Sequence, residues 1–202
     1  MRAPIGDFDQ ARPAPDCLGL LSAPVAAAVR EWTGTVPAER LLFVDTDPDL
    51  ADTDAFVRAY GAELRETSAN CVVVTAKRAG ERVLAGCLVP ASTRLDVNGA
   101  VRRQLGARKA SFAPHETAVG ETGMEYGGIT PIGLPAGWPV LIDLAVTEMP
   151  WVLIGSGSRR GKLIVPGKAL AQLPGALVIG GARRLGTAGA GVAAADAERD
   201  GS

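Results

Sequence analysis

The sequence is short of the groups on which many enzymes are built. It holds one histidine, His115, so a zinc site made from two or more histidines is excluded, and a Ser-His-Asp triad would have to use that single ring. Its three cysteines, Cys17, Cys71 and Cys87, are odd in number and widely spaced, with no Cys-x-x-Cys pair. This predicts reduced, inert thiols on apolar elements and a cytoplasmic protein, not a disulfide scaffold. Aromatic residues make up 4% of the chain, too few for a platform that stacks single-stranded bases. Charge of one sign is also missing, with 21 Lys and Arg against 22 Asp and Glu. Bulk electrostatics therefore does not advertise a polyanion partner, and only a local basic patch could steer one. No apolar run reaches the ~18 residues that a membrane span needs, and no charged leader precedes an apolar stretch, so a soluble protein is expected.

What is present fits one compact core with many turns: 47% hydrophobic residues in a chain of 202, with 25 Gly and 14 Pro. Residues 1–20, rich in Pro, Ala, Asp and Gly without a clear period, read as a weakly ordered or surface-draped N-terminal extension. Residues 21–181 read as the domain, and 182–202 as a flexible Ala/Gly/charged tail. Within the domain, Ser22-Ala23-Pro24 opens a helix through Val25, Ala28, Val29 and Trp32, and a second helix follows Asp52 and Thr53. Cys71–Ala76 and Arg82–Val89, joined by Lys77-Arg78-Ala79-Gly80-Glu81, form the strongest hairpin signal. Short strands are expected at 41–44, 110–113, 140–143, 151–154, 163–165 and 176–179. Helices are expected at 96–105, 114–119 and 166–173. Strands outnumber helices without regular βαβ alternation, so the class is α+β, with a mixed, curled and barrel-like sheet surrounded by short helices.

Gly123-Met124-Glu125-Tyr126-Gly127-Gly128-Ile129-Thr130-Pro131-Ile132-Gly133-Leu134-Pro135 stands apart from these elements. Four glycines and two prolines specify a backbone shape, while Met, Tyr, Leu and two Ile make the segment too apolar for a solvated linker. A buried loop that presents main-chain groups to a small ligand is the reading. Gly155-Ser156-Gly157-Ser158-Arg159-Arg160-Gly161-Lys162 invites a phosphate-loop reading, but its glycine spacing is wrong and Leu163 follows the lysine where Ser or Thr is required. The segment is expected to be a hairpin connection whose Ser and basic groups could meet an RNA end. Arg102, Arg103, Arg108 and Lys109 form a second basic cluster, most simply a solvated face. Asp143 ends an apolar strand, either to cap the next turn or as a buried carboxylate that holds the loop or a substrate amine.

Thr122-Gly123, Gly127-Gly128-Ile129-Thr130-Pro131-Ile132-Gly133, Val140-Leu141-Ile142-Asp143 and the Gly155-Ser156-Gly157 turn with its basic residues together resemble the YbaK/EbsC family. That domain is shared with the editing insertion of bacterial prolyl-tRNA synthetases, and Leu105-Gly106-Ala107-Arg108-Lys109 also matches. The resemblance spans about residues 23–179. It implies the fold of the YbaK and prolyl-tRNA synthetase-associated domains and a trans-acting aminoacyl-tRNA deacylase, often for tRNA-Pro, without metal, cofactor or side-chain nucleophile. Water attacks the ester with help from the substrate's own ribose hydroxyl. Carried onto this chain, the ester is held by Gly127, Gly128, Ile129, Thr130 and Pro131. Thr122, Tyr126, Gly133, Asp143, Gly155, Ser156 and Gly157 surround the substrate, and Lys109, Arg159, Arg160 and Lys162 face the tRNA. The aminoacylated tRNA end is the implied partner, with an aminoacyl-tRNA synthetase beside it. The family's lysine at the start of the hairpin strand, which helps bind the substrate's phosphate or ribose, is Asn70 here, and Met124 stands where a tyrosine is common. Either another cation, from Lys77, Lys109, Arg159 or Lys162, replaces that lysine, or catalysis is weak or absent. A non-catalytic module that recognises an aminoacyl-adenosine end or a protein is the competing reading, and an esterase using Ser156 or Ser158 is a third.

Overall fold

The computed structural model describes residues 1–50, 53–180 and 185–188. In chain order the strands are β1 (Ala11–Pro13), β2 (Leu42–Val44), β3 (Ala69–Arg78), β4 (Glu81–Pro90), β5 (Thr93–Leu95), β6 (Lys109–Phe112), β7 (Val140–Asp143), β8 (Val152–Gly155), β9 (Lys162–Val165), β10 (Ala176–Ile179) and β11 (Gly186–Ala188). The helices are α1 (Ala23–Arg30), α2 (Thr53–Tyr60), α3 (Leu64–Thr67), α4 (Arg102–Gln104), α5 (His115–Thr122), α6 (Leu144–Thr147) and α7 (Gly167–Leu170). A wide helical turn, Val97–Val101, leads into α4, and the Asp96 carboxylate caps it by accepting from the Gly99 and Ala100 N–H groups at 2.8 Å.

The hairpin forms where expected and is longer, with ten residues in each strand and Arg78 opposite Glu81. It is the middle of a mixed sheet ordered β10-β7-β4-β3-β6, in which β10, β7 and β4 run parallel and the other pairings are antiparallel. A second, antiparallel sheet is ordered β1-β2-β9-β8, and β11 pairs β5. The barrel expectation is therefore corrected: the strands form separate open sheets. β3 and β8 approach each other at one end only, where Ser68 and Leu153 make an isolated parallel bridge. Beyond that bridge the strands diverge, which leaves their main-chain groups unpaired across the gap and prevents closure. The gap becomes a cavity.

The first twenty residues also differ from expectation. Phe8, Ala11, Ala14 and Cys17 are all buried. Ala11 lies in β1, and Ala14 and Cys17 in a 3₁₀ segment over Ala14–Leu20 that kinks at Cys17 (φ −123°). Phe8 stacks on Tyr60 at 5.0 Å, and the Met1 ammonium donates to the Ala11 carbonyl at 2.8 Å. At the other end, Leu185 is fully buried and β11 is paired; the remainder of the expected tail, 189–202, lies outside the described residues.

Candidate functional site

A cavity of about 410 Å³ opens in the gap between the two sheets. Ser68–Val73 of β3 and its approach form one wall, Leu153–Gly155 of β8 another, and Gly127 and Ile129 of the glycine loop close a third side. Its interior is apolar, with Phe56, Val57, Leu64, Ala113 and Ala118 adding to the strand residues. Polar groups on the lining include Asn70, His115, Tyr126, Arg159 and Lys162.

The loop is held against the β8–β9 connection chiefly by backbone, with the Glu125 carboxylate also accepting from the Arg159 main-chain N–H at 2.7 Å. The Glu125 N–H donates to the Gly157 carbonyl at 2.9 Å, and the Gly157 N–H donates to the Gly128 carbonyl at 2.8 Å. Such close approach leaves no room for side chains. A Cβ on Gly128 would lie 2.5 Å from the Ser158 carbonyl oxygen, and one on Gly155 would meet the carbonyls of Gly128 and Ile129. Gly127 is required for another reason: its φ is 80°, in open space. Among the described residues the N–H groups of Gly127 and Ile129 donate to no partner, and both residues line the cavity. The opposite side of the loop is buried, and the Thr130 hydroxyl has no hydrogen-bond partner there.

Lys162 reaches in from β9, and its ammonium donates to the Gly127 carbonyl at 3.0 Å. Burial, with a contribution from the nearby Arg159 guanidinium, lowers its pKa. Arg159 is exposed and donates from its side chain to the Pro48 carbonyl at 3.3 Å. Neighbouring Arg160 turns away and pairs with the Asp45 carboxylate, whose pKa it lowers chiefly by hydrogen bonding. The His115 and Tyr126 rings meet at 4.4 Å on the cavity lining. Cys71 also lines it, with burial pushing the thiol up to about 12, so it remains protonated and unreactive at neutral pH.

The structure thus gathers Asn70, Tyr126, Gly127, Ile129, Gly155, Arg159 and Lys162 around one cavity. Gly128 and Gly157 support that wall from behind. Pro131 and Gly133 line a different cavity, about 610 Å³, together with Trp32 and Trp138. The remaining predicted residues lie elsewhere. The Thr122 hydroxyl donates to the Ala118 carbonyl inside α5, and the Ser156 hydroxyl donates to the Gly161 carbonyl at 2.9 Å. Lys109 stands opposite Lys77 on the outer strand of the mixed sheet. Asp143 caps α6 through the Ala145 N–H and accepts from the Leu185 and Gly186 N–H groups, so it anchors the start of β11. Phe112 and the Phe56–Leu64 wall carry no signal in the sequence that points to a site. His115 stands out there only as the single histidine, and the fold brings it beside Tyr126.

Among the described residues no group of three or more His, Cys, Asp or Glu is placed to hold a metal, and no helix is long and apolar enough to cross a membrane. Comparison with known structures supports the fold. A candidate trans-editing enzyme for prolyl tRNA synthetase superposes with a TM-score of 0.63 at 22% identity, covering 79% of this chain and 94% of that one. A scaffold protein from work on computational epitope backbone grafting gives the same TM-score and identity, over 79% of this chain and 95% of its own. A family model described as an aminoacyl-tRNA editing domain matches residues 47–173, a stretch that contains the cavity wall, the glycine loop and both basic residues beside it. The chain belongs to the aminoacyl-tRNA editing domain family.

Proposed function

We propose that this protein is a trans-acting aminoacyl-tRNA deacylase that hydrolyses the ester of a mischarged tRNA, with tRNA-Pro the first to test. The observation that supports this best is a cavity in an editing-domain chain whose wall offers the free N–H groups of Gly127 and Ile129. In this reading the aminoacyl carbonyl sits against that wall. Water attacks the carbonyl carbon, the bond to the ribose oxygen breaks, and the proton lost by the water ends on that leaving oxygen. The Gly127 and Ile129 N–H groups receive the charge that develops on the carbonyl oxygen, a contribution of about 3–4 kcal/mol per well-placed donor. Asn70 adds a side-chain amide donor on the facing strand. The apolar interior, including Leu64, Val73 and Leu153, suits an uncharged amino-acid side chain.

Hydrolysis of a panel of mischarged tRNAs, followed by release of the labelled amino acid, tests the reading. At least one ester should be cleared faster than in buffer, and Gly128→Ala should abolish the effect. Binding without hydrolysis of any ester would instead establish a recognition module, the alternative that Asn70 at the family's lysine position favours.

A further inference from the structure

The cavity of about 610 Å³ that Pro131 and Gly133 line shares no residue with the cavity between the two sheets, and the deacylase reading makes no use of it. Its volume lies in the range of about 300–1,000 Å³ that bound ligands occupy. Trp32, just past the end of α1, and Trp138, just before β7, contribute flat indole surface, and Leu134, Pro135, Pro139 and Pro174 extend the apolar lining. The cavity opens to the surface where Ala136, Gly137 and Leu177 are exposed. Much of its polar equipment is already engaged. The Trp32 indole N–H donates to the Val36 carbonyl at 2.8 Å, and the Gln172 side chain accepts from the Thr35 N–H. The carbonyls of Pro135, Pro139, Leu173 and Gly175 accept from the main-chain N–H groups of Trp138, Gly86, Ala176 and Val140. The Trp138 indole N–H and the Glu31 carboxylate, by contrast, have no partner among the described residues. Glu31 is the one charged side chain on this lining, and it is the C-cap of α1. A helix end carries partial negative charge, so a carboxylate there is disfavoured and a cation brought beside it would offset that cost.

We propose that this cavity docks a proline-rich segment of a partner protein, in the polyproline II conformation, with an Arg or Lys next to its prolines. Proline has no N–H, so such a segment can lie against an apolar wall whose carbonyls are engaged without burying unpaired donors. An ordinary extended peptide would bury them. The carbonyls of a polyproline II strand make no internal hydrogen bonds, so one of them accepts from the Trp138 indole while the proline rings pack on the two tryptophans. Glu31 pairs with the basic residue. The same carboxylate disfavours a nucleic-acid strand, whose phosphates would meet the only charge on this lining as a like charge. The proposal stands apart from the deacylase reading, because neither Glu31 nor Trp138 lines the other cavity. The glycine loop nevertheless touches both, with Gly127 and Ile129 on one and Pro131 and Gly133 on the other. A partner docked here would rest against the continuation of that loop.

Calorimetric titration of the full chain with synthetic peptides tests this. The probe is an end-capped peptide of one arginine followed by a run of prolines. It is compared with the same peptide carrying alanine for proline, with one carrying glutamate for arginine, and with arginine amide alone. Trp138→Phe keeps a ring and removes the N–H, and Glu31→Gln keeps the shape and removes the charge; both are checked for folding by circular dichroism. The proline peptide should bind at least about tenfold more tightly than its alanine counterpart, and about threefold more tightly than the glutamate form, as an exposed ion pair allows. Trp138→Phe should weaken the proline peptide about fivefold, the loss of one hydrogen bond. In Glu31→Gln the preference for arginine over glutamate should vanish. An alanine peptide that binds as tightly as the proline peptide, or no binding of either, overturns the proposal. Affinity unchanged in Trp138→Phe, or an arginine preference unchanged in Glu31→Gln, overturns the site. Arginine amide binding as tightly as the whole peptide would make this a pocket for a small cation and overturns the protein partner.

Discussion

At Gly128 a Cβ would stand 2.5 Å from one backbone oxygen and 2.6 Å from the carbonyl carbon of Ser158, neither of which can move without breaking the pairing of the loop with Gly157. Gly127, one residue earlier, faces open space, and its left-handed φ of 80° is its only demand. The two alanine variants should therefore separate. Gly128→Ala should lose about 1–3 kcal/mol of stability through overpacking, together with all deacylation. Gly127→Ala should lose about 1–2 kcal/mol, the cost of a side chain in the left-handed region, and retain measurable activity if the free N–H groups keep their places. Urea midpoints and deacylation rates measured on both check this. The need for glycine was legible in the sequence because Gly-Gly beside x-x-Pro-x-Gly fixes a backbone shape. Which glycine answers to sterics and which to φ was not, since that depends on Ser158, thirty residues away.

The elements were legible where their signals were local. The hairpin follows from two β-branched runs around a turn, and the structure adds that Ala79 holds φ 51° and Gly80 φ 90° in that turn. Two consecutive positive φ values are the pattern that matches hairpin twist and favours Asn-Gly. Ala79→Asn should raise stability by a few tenths to about 1 kcal/mol, read as a higher melting temperature, without altering activity, because Ala79 does not line the cavity. Asp143 was ambiguous, since a carboxylate at a strand end could cap or bind. It does cap, but its other oxygen accepts from Leu185 and Gly186, more than forty residues on, and no local pattern announces that. Asp143→Asn replaces one acceptor with a donor and should cost about 1–3 kcal/mol. Since Asp143 lies away from the cavity, KM should stay at the wild-type value, and a raised KM would return the residue to the substrate site.

Across the whole molecule, two sheets that meet at Ser68–Leu153 and then part create the cavity, and the sequence could not reveal it because long-range divergence leaves no trace in the period of either strand. The same divergence brings Lys162 on one sheet into the cavity that Asn70 lines from the other. A cation in that setting couples the site to global stability. Burial and Arg159 place the folded-state pKa of Lys162 below its unfolded value of about 10.4. Below the folded value both states hold the proton, and the folded state bears the full cost of the buried charge. As pH rises between the two values the folded state releases its proton first, and that cost disappears. Lys162→Met removes the charge at every pH. The variant should therefore be more stable than wild type near pH 7, and its advantage should shrink as pH approaches 10, measured by denaturant midpoints at both values. A less stable Lys162→Met at neutral pH would mean that the ammonium mainly braces the Gly127 carbonyl, and the lysine would then belong to the architecture of the loop and not to its ligand.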